Sequence, residues 1–319
     1  MYPRWFNFAV VGLWLTSMGW LVTTKVLPSL LVGEPPNYAT ILAAQREDLP
    51  VGWTIDWNGR QLGWAVTSTQ ALSQGVTEVR SLVHFDELPI DEFIPDWLRL
   101  MLPPIGKERL RVPVESRSSL VFDPLGRLSR FESSVRLDTE QPFVKMRGAV
   151  DGAKMTLWVR VGELPPFDAE VPVPRDALMG DAISPQSRLP GLRERQRWTV
   201  ESYSPLRPPN SPKELLYASV ESRQPFFWNG RKLDTFLVVY RTDAAEAVGG
   251  AGSVRAKLWV QPDGTVIKQQ MVLFRSTLSF LRMSERDAAP LAARVASEQD
   301  QPNQLFEAHA RQEARRPVP

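Results

Sequence analysis

Cysteine is absent from the 319 residues of this chain, and histidine occurs only at His84 and His309. The lack of thiols excludes disulfides, thiolate zinc sites, iron–sulfur clusters, a cysteine nucleophile and the lipid anchor that bacterial lipoproteins carry on cysteine. Imidazole metal centres lose their usual ligands as well, because only two histidines are present. The sequence therefore predicts no metal site.

An excess of charge of one sign is also lacking. The chain has 38 basic and 36 acidic side chains, which gives a formal net charge of +2. Proteins that bind nucleic acids through a general electrostatic field are much more basic than this. We therefore expect no nucleic-acid partner.

The sequence motifs of common catalytic sites are missing too. No G-x-S-x-G nucleophile elbow occurs, Gly106 and Lys107 lack the first glycine of a phosphate loop, and the glycines of residues 249–252 precede no helix. The acidic side chains of residues 86–92 fit the start of a helix, where the macrodipole favours carboxylates. The sequence thus predicts a protein that is not an enzyme, with no catalytic residue and no cofactor.

An uncharged, largely apolar run covers residues 5–22, directly after Arg4. As a helix, at about 1.5 Å per residue, it has a length of roughly 27 Å, close to a hydrocarbon core of roughly 30 Å. We expect an uncleaved single-pass transmembrane anchor at residues 1–25, followed by a tether at residues 26–50. A cleaved signal peptide is the alternative, although no A-x-A site follows. The protein would then belong to the cell membrane, with most of the chain extracytoplasmic (periplasmic).

After Pro50 the period of the apolar residues changes to two, which is typical of strands with one buried face. Five turn sequences separate the alternating segments. They are Asn58-Gly59, DPLG at residues 123–126, Asp151-Gly152, Asn229-Gly230 and Asp263-Gly264. These turns imply at least ten strands, and a segment near Leu278 adds another. Long antiparallel meanders curl or close to protect their edges, so the predicted fold is mainly β, a curled antiparallel sheet or half-barrel.

A hexapeptide occurs twice, as WNGRQL at residues 57–62 and as WNGRKL at residues 228–233. Each copy fits a tight hairpin turn, because Asn-Gly accepts the positive φ angles that such a turn requires. The copies lie in a first β unit at residues 51–162 and a second at residues 197–284. Duplication of a β unit and independent recurrence of a common turn both explain the repeat, and either makes it architectural rather than catalytic.

Three segments depart from the strand pattern. Residues 86–102 carry apolar side chains at helical spacing, which predicts a helix that covers the sheet, or else a movable lid over a ligand pocket. Residues 163–196 are rich in proline, which predicts an interdomain linker or a long loop. Residues 285–319 form a polar tail with a short helix at Ala288–Glu298.

The stretches GWTIDWNGRQLGW at residues 52–64 and KLWVQPDGTVIKQQ at residues 257–270 resemble the LolA/LolB-like lipoprotein-carrier superfamily and related uncharacterised secreted bacterial proteins. The resemblance covers residues 51–283. It implies a half-barrel whose concave side holds acyl chains or another apolar ligand. The lipoprotein-type members carry a lipidated N-terminal cysteine, which this chain lacks, so the resemblance does not extend to lipoprotein transfer.

The leading functional hypothesis is a membrane-anchored extracytoplasmic β domain that binds an apolar or lipid-like ligand without catalysis. The predicted wall or lid residues are Trp53, Trp57, Trp64 and Trp97. The alternative is an envelope scaffold or accessory subunit with a filled interior that contacts a protein partner.

Overall fold

The computed structural model describes residues 4–21, 38–45, 49–89, 111–137, 142–172, 184–203, 213–242, 254–273 and 276–299. Its helices are α1 (Arg4–Leu21), α2 (Tyr38–Gln45), α3 (Glu285–Gln299) and a 3-10 turn (Ser73–Gly75). The first eight strands are β1 (Val51–Trp57), β2 (Arg60–Ala71), β3 (Thr77–Pro89), β4 (Arg111–Phe122), β5 (Leu128–Leu137), β6 (Pro142–Asp151), β7 (Lys154–Val161) and β8 (Phe167–Pro172). The other six are β9 (Arg197–Tyr203), β10 (Lys213–Trp228), β11 (Arg231–Arg241), β12 (Val254–Val260), β13 (Val266–Leu273) and β14 (Ser276–Arg282).

These strands form one fourteen-stranded antiparallel sheet in the order β8-β7-β6-β5-β4-β3-β2-β1-β14-β13-β12-β11-β10-β9. Two meanders, β1–β8 and β9–β14, are joined where β1 pairs with β14. The sheet is curled and open, with β8 and β9 at its ends. The predicted mainly β, curled antiparallel fold is therefore confirmed, and the predicted β units share one sheet.

The inner face of the sheet is the face that carries its main hydrophobic cluster. Trp53 and Ile55 of β1 point to this face together with Phe280 of β14 and Val238 of β11, and all four are fully buried. Register explains the grouping, since Ile55 lies directly opposite Phe280 and side chains of directly paired residues share a face. The core therefore extends across both meanders.

The outer face is covered by α3 near β1 and β2. Val295 packs with Val66 and Leu82, and a Cβ atom at Gly52 would lie 2.8 Å from the Cβ atom of Ala288. The hydroxyl of Ser284 caps the helix by accepting a hydrogen bond from the backbone N–H of residue 287 at 3.2 Å. The helix predicted at Ala288–Glu298 is confirmed, with wider bounds.

The predicted start of the helix at residues 86–102 is wrong, because residues 86–89 belong to strand β3. The carboxylate of Glu87 lies 3.5 Å from the Arg60 guanidinium and 3.3 Å from that of Arg111. The acidic side chains at this point therefore face cations on neighbouring strands rather than the start of a helix. Residues 90–102 lie outside the described residues.

Within the described part of the chain, no helix has both the length and the apolarity needed to cross a membrane. This finding does not support the transmembrane anchor predicted at residues 1–25. Helix α1 has 18 residues, and Arg4, Asn7 and three tryptophans among them lower its mean hydropathy.

The two copies of the hexapeptide form the same turn in different surroundings. Asn58-Gly59 and Asn229-Gly230 have positive φ at all four residues. Five antiparallel pairings separate β1 from β10, so the two strands run in opposite directions. Each turn follows the C-terminal end of its strand, so the two turns lie on opposite edges, at opposite ends of the strands. Trp57 belongs to the inner cluster, whereas Trp228 is half-buried and donates its indole N–H to the carbonyl of Arg282 at 2.6 Å. The repeat is thus one turn used twice, at non-equivalent places.

The side chain of Asn58 has a second role that Asn229 lacks in the described part of the chain. Its Oδ1 accepts the backbone N–H of Thr277 at 2.8 Å, and its Nδ2 donates to Ser276 Oγ at 3.2 Å. We expect Asn58→Gly to lower the free energy of unfolding by about 1–2 kcal/mol, because two hydrogen bonds are lost while glycine keeps the turn. The matched control Asn229→Gly should change it by about 0.5 kcal/mol or less. Urea unfolding measures both, and equal losses would contradict the prediction.

Candidate functional site

A row of hydroxyl groups crosses the inner face on four neighbouring strands. Thr67, Ser81, Ser118 and Ser133 lie directly opposite one another on β2, β3, β4 and β5. All four residues are buried, with 4–7% of their surface exposed. We call these four residues the hydroxyl row. Neighbouring strands are spaced about 4.7–4.9 Å apart, so the row presents regularly spaced hydrogen-bonding groups.

Apolar side chains lie on both sides of the hydroxyl row. On one side, Val83 and Ala65 belong to the main inner cluster. On the other side, a second cluster contains Phe122, Met155 and Leu157, with Leu120 and Phe131 packed against it. The inner face therefore combines a polar line with apolar surface on either side of it.

The hydroxyl row is only partly satisfied by protein groups. The indole N–H of Trp53 donates to Thr67 Oγ1 at 3.3 Å, and Ser118 Oγ lies 3.4 Å from Ser184 Oγ. Ser81 Oγ is buried and has no hydrogen-bond partner among the described residues. Because buried hydroxyls are normally paired, Ser81 marks the point where the row is open to another hydrogen-bonding group.

Helix α2 covers the inner face at the hydroxyl row. Ile41 packs into the main cluster and the adjacent Leu42 into the second, each with 3% of its surface exposed. The amide of Gln45 donates to Ser187 Oγ at 2.9 Å and accepts from Thr69 Oγ1 at 3.5 Å. A covering helix was predicted at residues 86–102, but the covering element that the structure describes comes from the predicted tether.

Residues 184–196, which we call the strap, run across the same face. The strap begins beside β4, and its Gln186 N–H donates to Gln269 Oε1 of β13 at 3.0 Å. The N–H of Leu189 donates to the Gly264 carbonyl at 2.7 Å, and at its far end the Gln196 carbonyl accepts the Val220 N–H of β10 at 2.9 Å. This part of the proline-rich segment is a loop packed over the sheet, while β8, also within that segment, forms one sheet end.

The structure brings two of the four predicted site residues together. Trp53 and Trp57 are buried in the main inner cluster. Trp64 points to the outer face, where it stacks on His84 at 5.3 Å between ring centroids and lies beneath the Arg294 guanidinium at 5.8 Å. Trp97 lies outside the described residues. The hydroxyl row was missed, although successive polar residues in SRSS of β4 and in ESS of β5 were a signal.

The inner face offers hydrogen bonding and apolar contact. Burial raises the pKa of the Tyr240 hydroxyl above its usual value, so this group stays neutral at physiological pH. Among the described residues, no group of three histidine, aspartate or glutamate side chains could hold a metal ion. Such a surface suits a ligand with both polar and apolar parts.

Comparison with known proteins gives structural similarity alone. No family model matches the chain. No curated protein matches it. The chain is similar to the crystal structure of a beta-barrel-like protein of domain of unknown function DUF1849 from Brucella abortus, with 10% identity and a TM-score of 0.44 over 74% of this chain and 95% of the other. It is also similar to a DUF1089 family protein from Pseudomonas aeruginosa, with 15% identity and a TM-score of 0.33 over 64% and 87% of the two chains. Neither is described as a lipoprotein carrier, so that resemblance stays a prediction.

Gly126 holds the turn between β4 and β5 against α2. Its φ is +74°, and a Cβ atom at this position would lie 2.7 Å from the Cα atom of Ala39. We expect Gly126→Ala to displace α2 in addition to straining the turn. Gly152→Ala is the matched control, because Gly152 also has a positive φ of +62° but open space around it.

Both variants should lose about 1–2 kcal/mol of stability from the left-handed conformation. Only Gly126→Ala should accelerate amide hydrogen exchange in residues 38–45. Exchange in α2 that stays unchanged in Gly126→Ala would show that the helix does not depend on this contact.

Proposed function

We propose that the inner face binds an apolar, lipid-like ligand without catalysing a reaction. The observation that carries the proposal is Ser81 Oγ in the hydroxyl row, which is buried and has no hydrogen-bond partner among the residues that the structure describes. An unsatisfied buried hydroxyl costs about 1–3 kcal/mol, and a ligand oxygen or hydroxyl placed there would recover part of that cost. The proposed ligand therefore carries a polar linkage or head beside its apolar chains.

The arrangement of apolar surface supports a ligand of this kind. The two hydrophobic clusters flank the hydroxyl row, so a polar group at Ser81 would have apolar side chains on both sides. Burial of apolar ligand surface contributes roughly 25 cal/mol per Å². The apolar chains of the ligand would therefore be the main source of its binding free energy. The hydroxyl row would then fix the position of the ligand.

Access to the row would require α2 to move. This helix has eight residues, a length at which an isolated helix is marginally stable in water. It is attached to the inner face mainly through Ile41, Leu42 and Gln45. A ligand that replaces the two apolar side chains would compensate for their displacement, so we propose that α2 acts as the lid.

We also propose an extracytoplasmic location in the cell envelope, with α1 in contact with the membrane. Five large apolar side chains of α1 have between 44% and 72% of their surface exposed. They are Leu13, Trp14, Leu15, Met18 and Trp20. Exposed apolar groups of this size favour an apolar phase, and tryptophan favours the membrane interface.

A scaffold that binds an envelope protein is the second candidate. It is favoured by exposed apolar side chains near the β8 end of the sheet, at Phe143, Leu164 and Phe167. An end strand offers unpaired backbone groups to a partner strand, and exposed aromatic side chains would strengthen such a contact.

The ligand proposal is tested by titrating the full chain with the fluorescent fatty acid cis-parinaric acid. We expect saturable binding to the unmodified protein and roughly fivefold weaker binding to Ser81→Ala, since one hydrogen bond to the ligand is lost. Without ligand, Ser81→Ala should be as stable as the unmodified protein, or about 1 kcal/mol more stable, because no protein hydrogen bond is removed.

Ser219→Ala is the matched control. Its hydroxyl is also buried without a partner in the described part of the chain, but it lies on β10, outside the hydroxyl row. This variant should leave the affinity for cis-parinaric acid unchanged. A flat titration, or equal weakening in both variants, would overturn the ligand proposal and favour the scaffold.

A further inference from the structure

The outer face of β4–β7 carries a cluster of basic side chains that the proposed ligand site does not use. Strand pairing places Lys145 directly opposite Arg160, and it places Arg117 and Lys145 on either side of Ser134. Arg136 and Arg147 lie in the neighbouring rows. We call the side chains of Arg117, Arg136, Lys145, Arg147 and Arg160 the cationic face.

Two carboxylates lie among these five cations. Glu115 lies 2.8 Å from Arg117 and 3.7 Å from Arg136, and Glu132 lies 3.7 Å from Lys145 and 3.6 Å from Arg147. Five positive and two negative charges leave a local excess of positive charge. The chain as a whole has a net charge of only +2, so this face is more basic than the average of the molecule.

Two of the cations, Arg136 and Arg147, extend further into solvent than either carboxylate. The side chains of Arg136 and Arg147 are 40% and 43% exposed, whereas that of Glu115 is 19% exposed. The guanidinium groups can therefore reach an external anion while they remain within range of the carboxylates. Arginine suits this role because its planar donors match phosphate oxygens in pairs.

The electrostatic environment of Lys145 agrees with a positive local field. Burial lowers the pKa of this amine, and the charges of Arg147 and Arg160 lower it further, while Glu132 has the opposite effect. An approaching anion would stabilise the charged form of this lysine and reduce the repulsion among its neighbours.

We infer that the cationic face docks on a membrane surface that contains anionic phospholipids. Charge complementarity defines the occupant as anionic, and a sheet face that presents several cations at once matches a layer of headgroups. Trp158 lies beneath the Arg147 guanidinium, 5.3 Å from it to the ring centroid, and places an indole within the same surface. Indole rings favour the membrane interface, which nucleic acid does not offer. This inference does not depend on ligand binding at the inner face.

The test is co-sedimentation of the full chain with vesicles of phosphatidylcholine alone or with phosphatidylglycerol added. Binding should be stronger to the anionic vesicles, and the difference should vanish at about 1 M salt, where the screening length falls to roughly 3 Å. Apolar contacts of α1 act on both vesicle types, so the comparison isolates the charge-dependent contribution.

Two variants locate that contribution on the cationic face. Arg147→Gln with Arg160→Gln should weaken binding to anionic vesicles by roughly thirtyfold, since each basic residue near an anionic surface contributes on the order of fivefold. Ser134→Glu, which keeps every arginine, should weaken it by roughly fivefold. The matched control Arg231→Gln with Lys232→Gln removes two exposed positive charges at the β10–β11 turn and should have no such effect.

Circular dichroism and thermal melting establish that each variant is folded, and Ser134→Glu remains the deciding variant if the double arginine variant does not fold. Equal binding to both vesicle types would overturn the inference. So would a control variant that weakens binding as much as the cationic-face variants do. Tighter binding to duplex DNA or RNA than to anionic vesicles, lost in the same variants, would assign the face to nucleic acid instead.

Discussion

The pairing of β1 with β14 is the contact on which the rest of the molecule depends. It joins the first and last strands in chain order, which are neighbours inside the sheet, and converts two meanders into one curled surface. On the inner face, the Arg282 guanidinium lies over Trp53 at 5.9 Å and donates to the Ser187 carbonyl of the strap at 3.3 Å. On the outer face, α3 follows β14 directly and packs close to Gly52. The strap and α3 therefore both contact this pair of strands, from opposite faces of the sheet.

Strict alternation along the strands gives the two faces different chemistry. In β4, Ser116 and Ser118 point inward beside the apolar clusters, while Glu115 and Arg117 point outward among the charges of the cationic face. A register shift of one residue would exchange the two sets and bury the ions. One strand thus contributes uncharged hydrogen-bonding groups to one surface and ionic groups to the other, and this separation is what permits the two faces to contact different partners.

The inner face is covered by short segments rather than by a second sheet. Helix α2 and the strap each contribute few apolar side chains, among them Ile41, Leu42 and Leu189. The strap is also fixed by one backbone hydrogen bond to Gly264 and another to Val266. A Cβ atom at Gly264 would lie 2.7 Å from the Cα atom of Pro190. Helix α2 is held by the buried side chains of Ile41 and Leu42 and by the hydrogen bonds of Gln45.

The sequence by itself determined the local features. Asn-Gly and Asp-Gly steps set the turns because glycine and asparagine adopt positive φ more readily than other residues, and alternation predicted the strands. Trp53 and Trp57 lie in the inner cluster. Tertiary structure alone decided the pairing of β1 with β14, the use of α2 as the covering helix and the place of the hydroxyl row. The inward positions of β4 and β5 are mostly apolar, as at Val114 and Phe131, so hydropathy predicts their buried face, but the alignment of Ser118 with Ser133 depends on how the two strands pair. The register with β3 aligns that face with the inward Val83 and Phe85, which belong to the common core.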